Sequence, residues 1–202
     1  MDRGRDRKTF KSIISNTMKE LIKRLLVSVG LRHPAKGVKV SQARKAEVLL
    51  AHITSAMTDF IETGTYQGGM VEALRPHFKE IYSIEFNDDL YHFNDQKFRD
   101  DKNVHLYHGD SAKEIQKILK LITKPALFWL DAHGSGEITF QNSPIEAELI
   151  AIFNHSVRGH VIVIDDARHF SHHNIRAMHR LARSHNYRTV IEEGLFRLIP
   201  NR

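Results

Sequence analysis

The sequence contains no cysteine. Its absence excludes disulfide bonds, thiolate nucleophiles and cysteine-ligated zinc or iron–sulfur sites, and it is typical of cytosolic proteins. The chain also lacks any run of about 18 apolar residues, so no segment is predicted to cross a bilayer. Its first residues contain no short apolar core followed by a small-residue cleavage site, so we expect no signal peptide and a cytoplasmic location.

The positive charge of the chain is unevenly distributed. The formal net charge is +6 for 202 residues, and residues 3–44 are rich in lysine and arginine while the remainder is close to balanced. An excess of this kind can attract a polyanion. Because it is concentrated in an N-terminal segment, however, we do not predict nucleic acid as a partner. The length suits one well-buried core and is too short for two ordinary domains.

The N-terminal segment has a helical pattern. Between residues 9 and 29, apolar side chains recur every three or four positions and leave a basic opposite face, which predicts an amphipathic helix. Ser41 is a plausible N-cap for a second helix that runs to about Ser55. We therefore predict a helical extension over residues 1–57. Its first helix is expected to pack as a lid or against a second copy of the chain, and binding to an anionic membrane is the less favoured alternative.

Residues 58–202 alternate between short apolar runs and helical stretches, which predicts a mostly parallel sheet with helices on both faces. A Glu193-Gly194 turn between the last two runs predicts a closing antiparallel hairpin. The expected fold is α/β: a Rossmann-like three-layer sandwich with a seven-stranded sheet. The predicted strands are 59–62, 81–85, 104–107, 126–131, 161–165, 187–192 and 195–199, and the predicted helices are 69–78, 88–98, 111–121, 144–154 and 172–184.

Polar residues and glycines follow four consecutive predicted strands. Ligands of open parallel sheets bind at the carboxyl ends of the strands, where such residues would converge. Glycine permits a tight turn close to a ligand, a helix amino terminus attracts anions, and an acidic side chain can accept hydrogen bonds from ribose. Taken singly, each signal is also explained by helix capping or solvation. The four signals are Glu62-Thr63-Gly64-Thr65-Tyr66-Gln67-Gly68-Gly69, Glu85, Gly109-Asp110-Ser111 and Asp131.

Together these motifs resemble the successive motifs of class I S-adenosylmethionine-dependent methyltransferases, over roughly residue 58 to the C-terminus. The resemblance implies that the loop from Glu62 to Gly69 binds the methionine part of the cofactor and that Glu85 binds the ribose. It also implies that Asp110 and Ser111 contact the adenine, with Asp131 beside the cofactor. The loop lacks the Gly-x-Gly-x-x-Gly pattern of dinucleotide sites, which disfavours that alternative.

A second group of carboxylates ends the fourth and fifth strands. If these strands are neighbours they lie about 4.8 Å apart, so Asp131 can approach Asp165 and Asp166. Crowded carboxylates repel unless a cation or proton lies among them, and oxygen ligands suit Mg²⁺. The arrangement resembles the metal-dependent macrocin- and novobiocin-type sugar O-methyltransferases, which implies that these three residues bind a metal. Alternatively, Asp165 and Asp166 only cap the following loop and helix.

The resemblance implies Mg²⁺-assisted O-methylation of a small-molecule acceptor, such as a sugar or another hydroxylated metabolite. In the sugar enzymes the position two residues beyond the first metal ligand is an aspartate thought to act as base, whereas this chain has His133. We predict Asp131 and His133 as catalytic residues, with His133 taking the acceptor proton. An RNA or protein methyltransferase and a non-catalytic cofactor-binding module are the alternatives.

Overall fold

The computed structural model describes Met18, Lys19, Leu21 and residues 40–132 and 144–201. Most of the predicted helix over residues 9–29 therefore lies outside the described residues. Met18, Lys19 and Leu21 are helical, and the apolar side chains of Met18 and Leu21 are exposed. The lid, dimer and membrane interpretations of this helix stay predictions. Among the described helices, none combines the length and the apolar character needed to cross a membrane.

The predicted seven-stranded sheet is confirmed. The strand order is β3-β2-β1-β4-β5-β7-β6. The first five strands pair in parallel, and β7 is antiparallel to both β5 and β6. The order reverses between β1 and β4, so a ligand crevice is expected at their carboxyl ends. The strands are β1 Asp59–Thr63, β2 Glu80–Glu85, β3 Val104–His108, β4 Leu127–Leu130, β5 Val161–Ile164, β6 Tyr187–Glu192 and β7 Leu195–Pro200.

Helices follow the strands as predicted. In the described part of the chain they are α1 Gln42–Leu50, α2 Gly69–Leu74, α3 Asp88–Lys97, α4 Ser111–Leu119, α5 Ile145–Asn154 and α6 His172–Ser184, with 3₁₀ turns at Arg75–His77 and Ala167–His169. Ser41 caps α1 by accepting a hydrogen bond from the Arg44 amide at 3.3 Å. The helix ends at Leu50 and not near Ser55, because β-branched Ile53 and Thr54 disfavour continuation.

Two apolar layers cover the sheet. On one face, Phe60, Trp129 and Val163 pack with side chains of α1 and α2, including the fully buried Leu49 of α1. On the other face, Ile61 and Phe128 pack with α4, α5 and α6. The central strands β4 and β5 are buried throughout, as expected for parallel strands covered on both sides. Helix α1 is therefore part of the packed core, and its side chains lie beside the ends of β4 and β5.

Candidate functional site

The loop after β1 crosses directly over the end of β4. Gly64 has a φ of +85°, and a Cβ atom built there would lie 2.7 Å from the Asp131 carbonyl oxygen. Only glycine fits both restrictions. The Gly64 amide donates to the Ile84 carbonyl at 2.9 Å, the Asp131 amide donates to the Thr63 carbonyl at 2.9 Å, and the Gly109 amide donates to the Glu85 carbonyl at 2.9 Å. The four strand ends that the sequence singled out therefore lie side by side along one edge of the sheet.

Glu62 lies beneath this loop and is almost completely buried. The Ser83 hydroxyl donates to a Glu62 carboxylate oxygen at 2.6 Å and is itself 2.6 Å from the Thr65 hydroxyl. Burial raises the pKa of Glu62 to about 8; the Ser83 hydrogen bond opposes the rise, and the charges of Asp131 and Glu85 add to it. Glu62 is therefore a neutral acid at pH 7 that a nearby cation would ionise.

Glu85 fixes the same loop from the end of β2. One of its carboxylate oxygens accepts a hydrogen bond from the Tyr66 amide at 2.8 Å, and the other accepts from the Asn87 amide at 2.9 Å. Asn94 of α3, fully buried, donates to the Tyr66 carbonyl at 2.6 Å. Tyr66 has a φ of +51° and an exposed side chain. The structure thus confirms that Glu85 and the loop are neighbours, and it adds Asn94, whose α3 position gave no separate signal in the sequence.

Asp110 and Ser111 begin α4 at the end of β3. Asp110 is the N-cap of this helix and accepts the Ala112 amide at 3.0 Å, so the capping role that the sequence offered as an alternative is present. The Ser111 side chain is buried. In the described part of the chain, the second carboxylate oxygen of Asp110 has only a long contact, with the Lys113 ammonium at 3.9 Å. Asp110 can therefore cap the helix and also face a ligand.

Sequence analysis missed a second buried acid, Glu148 of α5. Among residues 40–132 and 144–201, no group lies within good hydrogen-bonding geometry of either Glu148 carboxylate oxygen, although the nearby Ser111 and Thr63 hydroxyls oppose part of the pKa shift. Burial raises the pKa of Glu148 to about 7. Its position three residues after Ile145 and four before Ile152, both buried, would have identified it as core-facing from helical periodicity.

Asp131 and Asp165 lie at the ends of the neighbouring strands β4 and β5, and a hydrogen bond between them contributes to the raised pKa of Asp131. The main cause of that rise, to about 8, is burial, followed by the charge of Asp165. The Lys45 ammonium of α1 binds an Asp165 carboxylate oxygen, and the other oxygen accepts the Asp166 amide at 2.7 Å. Asp166 has a φ of +49° and pairs with Arg168 at 2.7 Å.

The predicted Mg²⁺ site is not supported by this arrangement. Asp131 and Asp165 meet as predicted, but Asp165 is occupied by Lys45 and by a backbone amide, while Asp166 pairs with Arg168. Within residues 40–132 and 144–201, no three histidine, aspartate or glutamate side chains are grouped to hold a metal ion. The donor set therefore does not fit a divalent ion. His133, the predicted base, lies outside the described residues, so its role stays a prediction.

Comparison with known proteins supports the fold. No protein-family model matches the chain, and no curated protein sequence matches it. Solved structures do match. One is a candidate caffeoyl-CoA O-methyltransferase from Staphylococcus aureus, with 12% identity over 95% of this chain and 98% of that chain and a TM-score of 0.57. Another is an O-methyltransferase from Bacillus cereus in complex with S-adenosylhomocysteine, with 16% identity over 89% of this chain and 90% of that chain and a TM-score of 0.53. The 23S rRNA methyltransferase ErmE also matches, with 10% identity over 82% of this chain and 70% of that chain and a TM-score of 0.52. The chain thus has the α/β fold of the class I S-adenosylmethionine-dependent methyltransferases.

Proposed function

We propose that this chain is an S-adenosylmethionine-dependent methyltransferase that methylates a hydroxyl group of a small molecule. The observation that supports this most is the single site at the ends of β1, β2, β3 and β4, closed by the Gly64 turn over Asp131. It lies at the reversal of strand order, where open α/β sheets bind ligands. The fold alone does not select the acceptor, because it also occurs in an rRNA methyltransferase.

The residues of the site fit the cofactor. When bound, S-adenosylmethionine supplies a methyl group on a sulfonium centre. Glu62 is a buried acid without a cationic partner among the described residues, so the charged methionine part is a suitable partner for it. Glu85 would bind the ribose, which requires exchanging part of its present hydrogen bonding to Tyr66 or Asn87. Asp110 and Ser111 would contact the adenine.

The acceptor would bind beside Asp131, at the edge of the cofactor site. A hydroxyl must lose its proton to become a good nucleophile, and a carboxylate or imidazole can take that proton. Asp131, at the end of β4 under the Gly64 turn, is one candidate base. His133, two residues later, is the other. Lys45 and Arg168 pair with two of the carboxylates that were predicted to bind Mg²⁺, so the proton transfer is assigned to the two candidate bases alone.

Calorimetric titration with S-adenosylhomocysteine tests the binding part of this proposal. Glu85→Ala should weaken binding by about tenfold to a hundredfold, because a buried polar ligand group loses its partner. Glu80→Ala is the matched control: Glu80 is at the opposite end of the same strand, where it pairs with His105 at 2.6 Å, and its loss should leave affinity unchanged. Failure of the unaltered chain to bind S-adenosylhomocysteine would refute the proposal.

The acceptor class requires a separate assay. Methyl transfer from radiolabelled S-adenosylmethionine should be measured with sugars, catechols and other hydroxylated metabolites, with total RNA and a protein extract in parallel. We expect label in the small-molecule fraction only. Label in RNA or protein would contradict the small-molecule proposal and leave the cofactor proposal standing, whereas binding without transfer to any acceptor would favour a non-catalytic module.

A further inference from the structure

Lysine 45 reaches from α1 into the carboxylate cluster at the ends of β4 and β5. Its ammonium binds Asp165, and both side chains are largely withdrawn from solvent, with 17% of Lys45 and 4% of Asp165 exposed. The same ammonium lies over the Trp129 ring, 5.6 Å from its centroid. Lys45 was not identified from the sequence, because nothing in residues 41–55 indicates which side chain faces the sheet.

The cluster needs a proton or a positive charge among its carboxylates. Asp131 and Asp165 lie on adjacent strand ends and are both buried or nearly so. Two such carboxylates coexist only with a shared proton or a neighbouring cation. Lys45 supplies that cation through its contact with Asp165. The electrostatic need that predicted a metal is therefore met by the chain itself.

Packing holds the ammonium in this position. The α1 side chains Ala46, Val48 and Leu49 are buried in the core that includes Trp129. On the exposed side, Arg44 contacts Glu193 of the β6–β7 turn at 3.3 Å. Lys45 is thus on a helix that is attached on two sides, so the backbone that carries it is already fixed and only its side chain must be ordered.

We propose that the Lys45 ammonium is the resident cation of the Asp131–Asp165 cluster and that it takes the place a divalent metal would otherwise occupy. The description of this cluster as an acceptor site rests on the proposed function, but the replacement of a metal by Lys45 does not. Asp165 uses one of the three hydrogen-bond donors of the ammonium. The others can donate to an acceptor oxygen, which gives the site a fixed, singly charged hydrogen-bond donor.

Terbium luminescence tests this without any methyl-transfer assay. Tb³⁺ binds where hard divalent ions bind, and it emits when an adjacent tryptophan is excited; Trp129 is the only tryptophan in the sequence and lies beside the cluster. The unaltered chain should show no sensitised emission that Mg²⁺ can compete away. Lys45→Met should create such emission, with Tb³⁺ affinity at least about tenfold higher, because the repelling charge is removed. Lys45→Arg should behave like the unaltered chain.

Two further variants make the test decisive. Lys45→Met leaves Asp165 without its cation and can destabilise the fold, so Lys45→Met/Asp165→Asn should restore stability and abolish the new Tb³⁺ site. Lys117→Met removes a lysine–carboxylate contact of 2.7 Å on α4 and should produce no Trp129-sensitised emission. The proposal is overturned if the unaltered chain binds Tb³⁺ in competition with Mg²⁺, or if Lys45→Met binds it no better. Neither result depends on whether the chain binds S-adenosylhomocysteine.

Discussion

Replacing Glu62 with glutamine should stabilise the cofactor-free protein by an amount that grows between about pH 4.5 and pH 8 and then levels off. Glutamine keeps the shape of the side chain and still accepts the Ser83 hydrogen bond, which is 2.6 Å long in the structure. It removes only the ability to ionise. Burial raises the pKa of Glu62 from 4.5 to about 8, so the ionised form is unfavourable in the folded protein and favourable in the unfolded chain.

The magnitude follows from the linkage between protonation and folding. One pKa unit corresponds to about 1.4 kcal/mol, so the full cost of ionising Glu62 in the fold is about 5 kcal/mol. Below pH 4.5 the side chain is protonated in both states and costs nothing. Between pH 4.5 and 8 only the unfolded chain ionises, so the stability of the unaltered protein falls relative to the variant. The difference should reach about 3 kcal/mol at pH 7 and about 5 kcal/mol above pH 8.

Urea denaturation of both proteins at several pH values measures this difference directly. Glu80→Gln, on the same strand but half-exposed, is the control, and the loss of its surface contact with His105 should change the free energy of unfolding by less than about 1 kcal/mol. A gap between Glu62→Gln and the unaltered protein that stays constant from pH 5 to pH 9 would refute the reasoning. It would mean that the Glu62 carboxyl group is not kept protonated by the fold, and that there is no reason to expect a cationic ligand beside it.

Three further predictions concern the same region. Glu148→Gln should raise the free energy of unfolding by about 3 kcal/mol above pH 7 and by almost nothing at pH 4.5, because the raised pKa of this acid imposes the same penalty; denaturation at both pH values checks it. Gly64→Ala should lower the free energy of unfolding by about 3 kcal/mol, because φ is positive and the new Cβ would lie 2.7 Å from the Asp131 carbonyl oxygen. Gly194→Ala, where φ is +76° but the space around the Cβ is open, should lower it by about 1 kcal/mol in the same assay. Cofactor binding at pH 7 should release about one proton from Glu62, seen as a dependence of binding heat on buffer ionisation enthalpy, and Glu62→Gln should release none.

Local signals in the sequence predicted most of the fold. The alternation of apolar runs and helical stretches gave all seven strands, and α6 was predicted with its observed bounds. Buried parallel strands such as β4 and β5 are recognisable because both faces must be apolar. The glycines and acids at the strand ends were recognisable because the topology brings all carboxyl ends to one edge of the sheet.

The contents of the carboxylate cluster could not be predicted in the same way. The sequence predicted that Asp131 and Asp165 would meet if their strands were neighbours, and that a cation or a proton would accompany them. It did not show that the charge would come from Lys45, 120 residues away in the chain, because that contact depends on how α1 packs on the sheet. Asp166 was predicted to bind a metal, and in the structure it pairs with Arg168. That contact could not be predicted, because a position just after a strand does not determine side-chain direction.

The most direct test of the central claim is a crystal structure of the protein with S-adenosylhomocysteine. We predict the amino-acid part of this ligand against the Gly64 loop near Glu62, and its ribose hydroxyls hydrogen-bonded to Glu85. Ligand bound elsewhere, with the Glu85 carboxylate still held by the Tyr66 and Asn87 amides as in the present structure, would contradict the claim.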